Sequence, residues 1–374
     1  MTLKRDNSQK PKCWVIKLGS SLLTNNGCGL KTDTLSVWVS QIMSIMEQGI
    51  NVVLVSSGAV AEGVSRLDMD KRPHELHKLQ AAAAVGQMGL IQAYEFCFQK
   101  YGIHTAQILL THDDISNRRR YLNARSTLRT LIELGAIPIV NENDSVATEE
   151  IRFGDNDTLA GLVANLVEAD LLVILTDQKG LFEKDPRKHK NPEFIQKGLA
   201  GDSNLEKYAG DESEHGRGGM LTKLRAAATA AKSGSSTIIA SGLEDNVLVR
   251  IAAGEEVGTL LESSIAPMTA RKQWLAGQSI ISGSLTLDNG AVTAIQTKGK
   301  SLLAVGVTSV EGQFIRGEVV RCVNEDGHEV ARGLVNYSTE EIQLILGQTS
   351  SKIEQILGYI NEPELMHRDN LVVD

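Results

Sequence analysis

Two lysines stand in turns built for anions. Lys17 ends the apolar run of WVIKLGSSLL (residues 14–23), just before a Gly-Ser-Ser turn. Lysine is almost never fully buried without a partner. A turn of glycine and serine can aim backbone N–H groups outward, and a cation beside free N–H donors suits phosphate. Snorkelling of Lys17 to solvent at a strand edge is the ordinary alternative. Lys223 closes GRGGMLTK (residues 216–223), a glycine-rich loop that opens a helix. Glycines there let backbone N–H groups approach phosphates closely. Between the lysines, RFGDNDTLAG (residues 152–161) puts Asp155, Asn156 and Asp157 at a helix start. Capping accounts for one such residue and not for three. The chemistry these side chains suit is neutralisation of negative charge.

The elements that must position them alternate. NVVLVSSGA (residues 51–59) is a buried strand entering a Ser-Ser-Gly turn, and DLLVILTDQKG (residues 170–180) is another apolar strand. Near-continuous apolar runs of this length belong to strands covered on both faces. Residues 78–102 are alanine-rich and predict a long helix ended by glycine. RRRYLNARSTLRTLIELG then AIPIVNEND, NDTLAGLVANLVEA then DLLVIL, and KLRAAATAAKSG then STIIASG repeat the helix-then-strand pattern. The fold class expected is α/β, a parallel-rich sheet sandwiched between helices. Ligands in such sheets bind beyond the carboxyl ends of the strands. KLGSS, SSGA, NEND and TDQKG all fall on those ends; ordinary solvated turns explain any one of them, but less readily four.

From residue 282 the texture changes to short segments punctuated by DNG (288–290), EG (311–312) and EDG (325–327). That predicts a small, mostly β second domain with helical pieces near its end. The expected organisation is an N-terminal arm over 1–12, a first domain over 13–265, a linker over 266–281, the second domain over 282–360 and a tail over 361–374. Two domains also suit a chain of 374 residues. A net charge of −8 argues against a general nucleic-acid or membrane-surface binder. Cys13, Cys28, Cys97 and Cys322 form no CxxC pair, so neither zinc nor a disulfide framework is indicated. The first residues have no apolar segment of signal-peptide type, and a cytoplasmic protein is expected. Neither GxxxxGK[ST] nor a post-strand GxGxxG occurs, and HRDNL at 367–371 lacks the DFG of a protein kinase.

Taken in order, VIKLGSSLL, LVSSGAVAEG, IPIVNENDSVATEEIRFGDNDTLAG, LTDQKGLFEKDP and GGMLTKLRAA resemble the amino-acid kinase family. Within it they resemble the bacterial branch that phosphorylates glutamate at the opening of proline biosynthesis. The match covers residues 14 to about 265, and the remainder resembles a PUA domain. Two departures stand out: Arg217 where the family loop commonly has threonine, and Ser56 where threonine is commoner.

The resemblance implies transfer of the ATP γ-phosphoryl group to the side-chain carboxylate of L-glutamate. It implies Lys17 and Lys223 on the phosphates, with Asp157 holding both. It implies ATP contacts from Gly19, Thr176, Asp177, Arg217, Gly218, Gly219, Met220, Leu221 and Thr222. Asp144 and Asp155 would take the α-ammonium of glutamate, and Ser57, Gly58, Asn141 and Asn156 would donate to its carboxylates. Mg2+ would arrive with ATP, without a dedicated protein cage. The partners implied are L-proline as feedback inhibitor, glutamyl phosphate reductase as the next enzyme, and further copies of the chain in a dimer or tetramer. PUA domains elsewhere bind structured RNA. Here residues 282–360 carry 6 Lys/Arg against 9 Asp/Glu, which argues against a nucleic-acid partner.

Overall fold

Strand β1 (Cys13–Leu18) is buried along its whole length, and its alternation sets the layers. Trp14, Ile16 and Leu18 join a core with Trp38, Ile42, Leu90 and Tyr94. Successive strand residues point to opposite faces, so Lys17 is delivered to the other side. The computed structural model describes residues 12–25, 28–146, 156–209, 219–264, 281–360 and 362–373. The expected arm (apart from residue 12) and nearly all of the expected linker lie outside them, as do Asp155, Arg217 and Gly218.

The other strands of this sheet are β2 (Asn51–Ser56), β3 (Thr105–Leu110), β4 (Ile137–Glu142), β5 (Leu171–Thr176), β6 (Lys197–Leu199), β7 (Ser236–Ser241) and β8 (Thr259–Glu262). The spatial order is β6-β8-β7-β5-β1-β2-β4-β3. Every pairing is parallel except β7 with β8. The helices that matter for the site are α1 (Thr32–Met46), α2 (Ala59–Arg66), α3 (Leu76–Gln99), α4 (Asn156–Val167) and α5 (Met220–Ala231). Helices α1 and α3 supply the core on one face, while α4 packs on β1, β2, β4 and β5. Each fully buried Leu or Ile in these layers contributes roughly 1.5–3 kcal/mol.

Helices α2 and α3 cross backbone to backbone. A Cβ at Gly86 would lie 1.8 Å from the Ala59 carbonyl oxygen, and one at Gly63 would lie 1.7 Å from that of Ala82. This crossing fixes the start of α2, and with it the Ser57–Gly58 turn. Gly58 has φ of 110°, a left-handed conformation that glycine adopts without a steric penalty.

The second compact unit holds β9 (Gly283–Leu287), β10 (Val307–Gly312), β11 (Val319–Val323), β12 (Glu329–Leu334) and β13 (Leu371–Val373). Their order is β10-β9-β11-β12-β13. Leu285, Leu287, Val320, Ala331, Tyr337, Ile342 and Ile353 are part of its own core. Two sequence expectations change here. The segment read as a tail supplies the edge strand β13, antiparallel to β12. The DNG triplet at 288–290 is no hairpin turn: Asp288 caps the helix Asn289–Gln296, its side chain accepting from Ala291 N at 2.7 Å. EDG does form the β11–β12 turn, with Asn324 Oδ1 accepting from Asp326 N and His328 N. No helix among the described residues is long and apolar enough to cross a membrane.

Candidate functional site

Parallel register brings the polar strand ends to one edge. Lys17 lies beside Val55 of β2 and Ile174 of β5, one residue short of the β1 terminus. Ser56, Glu142 and Thr176 close β2, β4 and β5. The start of α4 rests over this edge and carries Asn156 and Asp157.

Asp157 is fully enclosed, at 0% exposure. Lys17 Nζ sits 2.7 Å from its Oδ1, and Lys223 Nζ sits 2.9 Å from its Oδ2. Thr222 Oγ1 is also 2.8 Å from Oδ2, and equally 2.8 Å from the Gly219 carbonyl oxygen. Burial opposes charge on Asp157, but the two ammonium groups outweigh it and hold the carboxyl well below the usual range. Both lysines are buried as well. Such a cluster is tolerable only because each charge is paired. Among the described residues, two cations share one anion, an excess of one positive charge. The α5 N-terminus adds backbone N–H groups without any side-chain cap from Gly219. The site is therefore built to receive an anion.

A chain of amides runs beside it. Asn156 Nδ2 donates to Ser56 O at 3.0 Å, and lies 2.9 Å from Ser57 Oγ and 3.0 Å from Asn141 Oδ1. Asn141 Oδ1 also accepts from Glu142 N at 2.9 Å, while Asn141 Nδ2 donates to Gln87 Oε1 at 2.8 Å. This revises one expectation. Both asparagines were read as donors to carboxylates, yet the Asn156 amide nitrogen is fully engaged within the protein, and that of Asn141 keeps a single N–H. Gln87 was not among the residues read from the sequence. Its signal was slight: it is the sole polar residue in AAAAVGQMGL (residues 81–90).

Asp144 lies two residues beyond β4. Burial pushes its carboxyl up to about 6, with the Arg72 charge pulling the other way. Gly19 N donates to Leu175 O at 3.3 Å, so its turn crosses to β5. Thr176 Oγ1 donates to Asp177 Oδ1 at 3.0 Å. Met220, Leu221 and Thr222 form the first turn of α5. Ser56, the departure from threonine, places its Oγ 2.9 Å from the Tyr94 hydroxyl. Among the described residues no group of three or more His, Cys, Asp or Glu is placed to hold a metal ion.

Known proteins resemble this chain along its whole length. The amino acid kinase family model matches residues 12–241, and the PUA domain model matches residues 283–357. A glutamate 5-kinase of Thioalkalivibrio sulfidiphilus (strain HL-EbGR7) is 61% identical over 374 residues, covering 100% of both chains. One of Nitrosospira multiformis is 61% identical over 96% of this chain and 97% of its own. One of Hydrogenovibrio crunogenus is 57% identical over 100% of both. A solved UMP kinase from Bacillus anthracis is similar over 68% of this chain and 97% of its own, at 16% identity and a TM-score of 0.47. With a family model over more than half its length and full-length relatives of this identity, the chain belongs to the amino acid kinase family and carries a C-terminal PUA domain.

Proposed function

We propose that this protein transfers the γ-phosphoryl group of ATP to the γ-carboxylate of L-glutamate, giving L-glutamyl 5-phosphate and ADP in the cytoplasm, as the opening step of proline biosynthesis. The observation that carries the reading is the Lys17–Asp157–Lys223 cluster, joined to relatives of about 60% identity that are glutamate 5-kinases.

A free glutamate side chain has a pKa of about 4.3, so the nucleophile is ionised at neutral pH and needs no general base. Asp157 is unsuited to be one, since both its oxygens are held by ammonium groups. The difficulty is electrostatic, an anion attacking a polyanion. Catalysis is positioning plus neutralisation of the charge that spreads over the transferring phosphoryl group. Lys17 and Lys223 supply the cations, and Asp157 fixes their separation. The α5 N-terminus holds the nucleotide phosphates, with Thr176 and Asp177 on its adenosine side. Asp144 takes the α-ammonium of glutamate, and Ser57 and Gly58 donate to a carboxylate. Mg2+ comes with ATP as its counter-ion. L-proline acts as an inhibitor at the glutamate site, and glutamyl phosphate reductase consumes the product.

The test is a hydroxylamine trap of the acyl phosphate across a panel of acceptors. Glutamate should give hydroxamate with ATP, and aspartate, acetylglutamate and carbamate should give no trapped product; UMP, whose phosphorylation yields an anhydride that the trap does not see, is read by ADP release and should give none. Phosphorylation of one of the others, with glutamate inert, would refute the assignment.

A further inference from the structure

Gln87 is 7% exposed, and its Nε2 has no hydrogen-bond partner among the described residues. Its Oε1 accepts from Asn141 Nδ2. Gly86, the residue before it, is pressed on the Ala59 carbonyl, which sets Gln87 close behind the Ser57–Gly58 turn.

The direction of the amide chain is fixed at two points by backbone groups. Glu142 N can only donate, so the Asn141 atom facing it is the oxygen. Ser56 O can only accept, so the Asn156 atom facing it is the nitrogen. Asn141 therefore turns its nitrogen to Gln87, which must answer with an acceptor. Asn156 has its nitrogen end taken up by protein acceptors, while its oxygen makes no hydrogen bond among the described residues.

We propose that Gln87 is a positioning residue for the acceptor site: the backbone sets which way the two asparagine amides face, and Gln87, by accepting from Asn141, holds that amide against Asn156, so that in this relay Asn156 is kept where it presents a carbonyl oxygen to the α-ammonium of the substrate. This rests on the function proposed above. Stability alone does not account for the glutamine. A methionine of similar shape would remove one buried unsatisfied donor, Nε2, while leaving another, the Asn141 nitrogen, so the two effects nearly cancel. What the exchange removes is the acceptor that holds the Asn141 nitrogen, and with it the firm seat of the amide that Asn156 leans on.

The test compares Gln87→Met and Gln87→Glu with the wild type, reading KM for glutamate, KM for ATP, kcat and the melting temperature. Gln87→Met should raise KM for glutamate about tenfold, as expected for the loss of one buried hydrogen bond that steadies the site. KM for ATP should stay within about twofold, and the melting temperature should hardly move. Gln87→Glu keeps an acceptor toward Asn141 and should restore KM for glutamate to within about threefold. Gln87→Met with an unchanged KM for glutamate, or with both KM values and the melting temperature shifted together, would overturn the relay. If Gln87→Met does not fold, Gln87→Glu decides alone, since a tenfold rise there would assign the role to Nε2. A wild type without glutamate-dependent turnover would instead count against the proposed reaction.

Discussion

Lys17 and Lys223 grip opposite oxygens of one carboxylate, at 2.7 Å from Asp157 Oδ1 and 2.9 Å from Oδ2. They come from a strand and a helix far apart in sequence, so neither could set the other's place without Asp157. The shared anion fixes their spacing and, among the described residues, leaves the pair one positive charge in excess.

Lys17→Ala and Lys223→Ala should each lower kcat about a hundredfold to a thousandfold, the usual loss for one charge-stabilising donor. Initial rates at saturating ATP and glutamate measure it. Either variant within threefold of wild type would remove that lysine from the account. Asp157→Ala should differ in kind, leaving two buried cations without their partner and destabilising the fold by roughly 3–5 kcal/mol, read by denaturant melts.

Gly86→Ala should destabilise the first domain by roughly 1–3 kcal/mol, because its Cβ would meet the Ala59 carbonyl oxygen at 1.8 Å. Gly219→Ala is the control. Among the described residues its Cβ would meet nothing within 4 Å, and its φ is −65°, so only the small cap preference of glycine over alanine is lost and its melting curve should shift less than that of Gly86→Ala. Equal effects of the two substitutions would contradict the close α2–α3 crossing.

The pH profile of kcat/KM for glutamate should fall on the acid side through about 6, the level to which burial raises Asp144. The sign follows from the ligand. An α-ammonium binds the ionised carboxylate, and kcat/KM reports the free enzyme. The glutamate side chain titrates near 4.3 and cannot produce this limb. Asp144→Asn should lower the plateau and abolish the limb; an unchanged limb would assign it to another group.

Free L-proline should compete with glutamate and not with ATP. It keeps the α-carboxylate and a cationic α-nitrogen at the same separation, so Asp144 can serve either ligand with a charge-assisted hydrogen bond. It lacks the second carboxylate, so nothing accepts phosphate. Asp144→Ala should weaken both ligands together, as measured from initial rates over a grid of glutamate and proline. An effect of proline confined to the apparent affinity for ATP would contradict the overlap.

Much of this was legible in the sequence, for local reasons. β1, β2 and β5 are apolar runs with polar ends, and Lys17 was conspicuous as a cation within one. The misread DNG shows the limit of such signals. Asp-Asn-Gly suits a tight turn and a helix cap equally, and only the helix that follows Asp288 decides. β13 is three residues long and is a strand only because β12 lies beside it. The direction of the amide relay was out of reach altogether. A side-chain amide is nearly symmetric in shape, and which way Asn156 faces is set by Ser56 O, 100 positions away in sequence. Gln87 was hidden for the same reason.

The central claim is that a glutamate oxygen attacks phosphorus. The direct measurement uses glutamate labelled with 18O in its γ-carboxylate, with ATP and hydroxylamine, followed by mass analysis of the released phosphate. Attack by the carboxylate makes that oxygen the C–O–P bridge. Hydroxylamine then displaces phosphate at the carbonyl carbon, so the bridge leaves with phosphorus. The account predicts one 18O in each phosphate released with hydroxamate. Hydroxamate formed together with unlabelled phosphate would contradict it, since the carboxylate oxygen would then never have bonded to phosphorus.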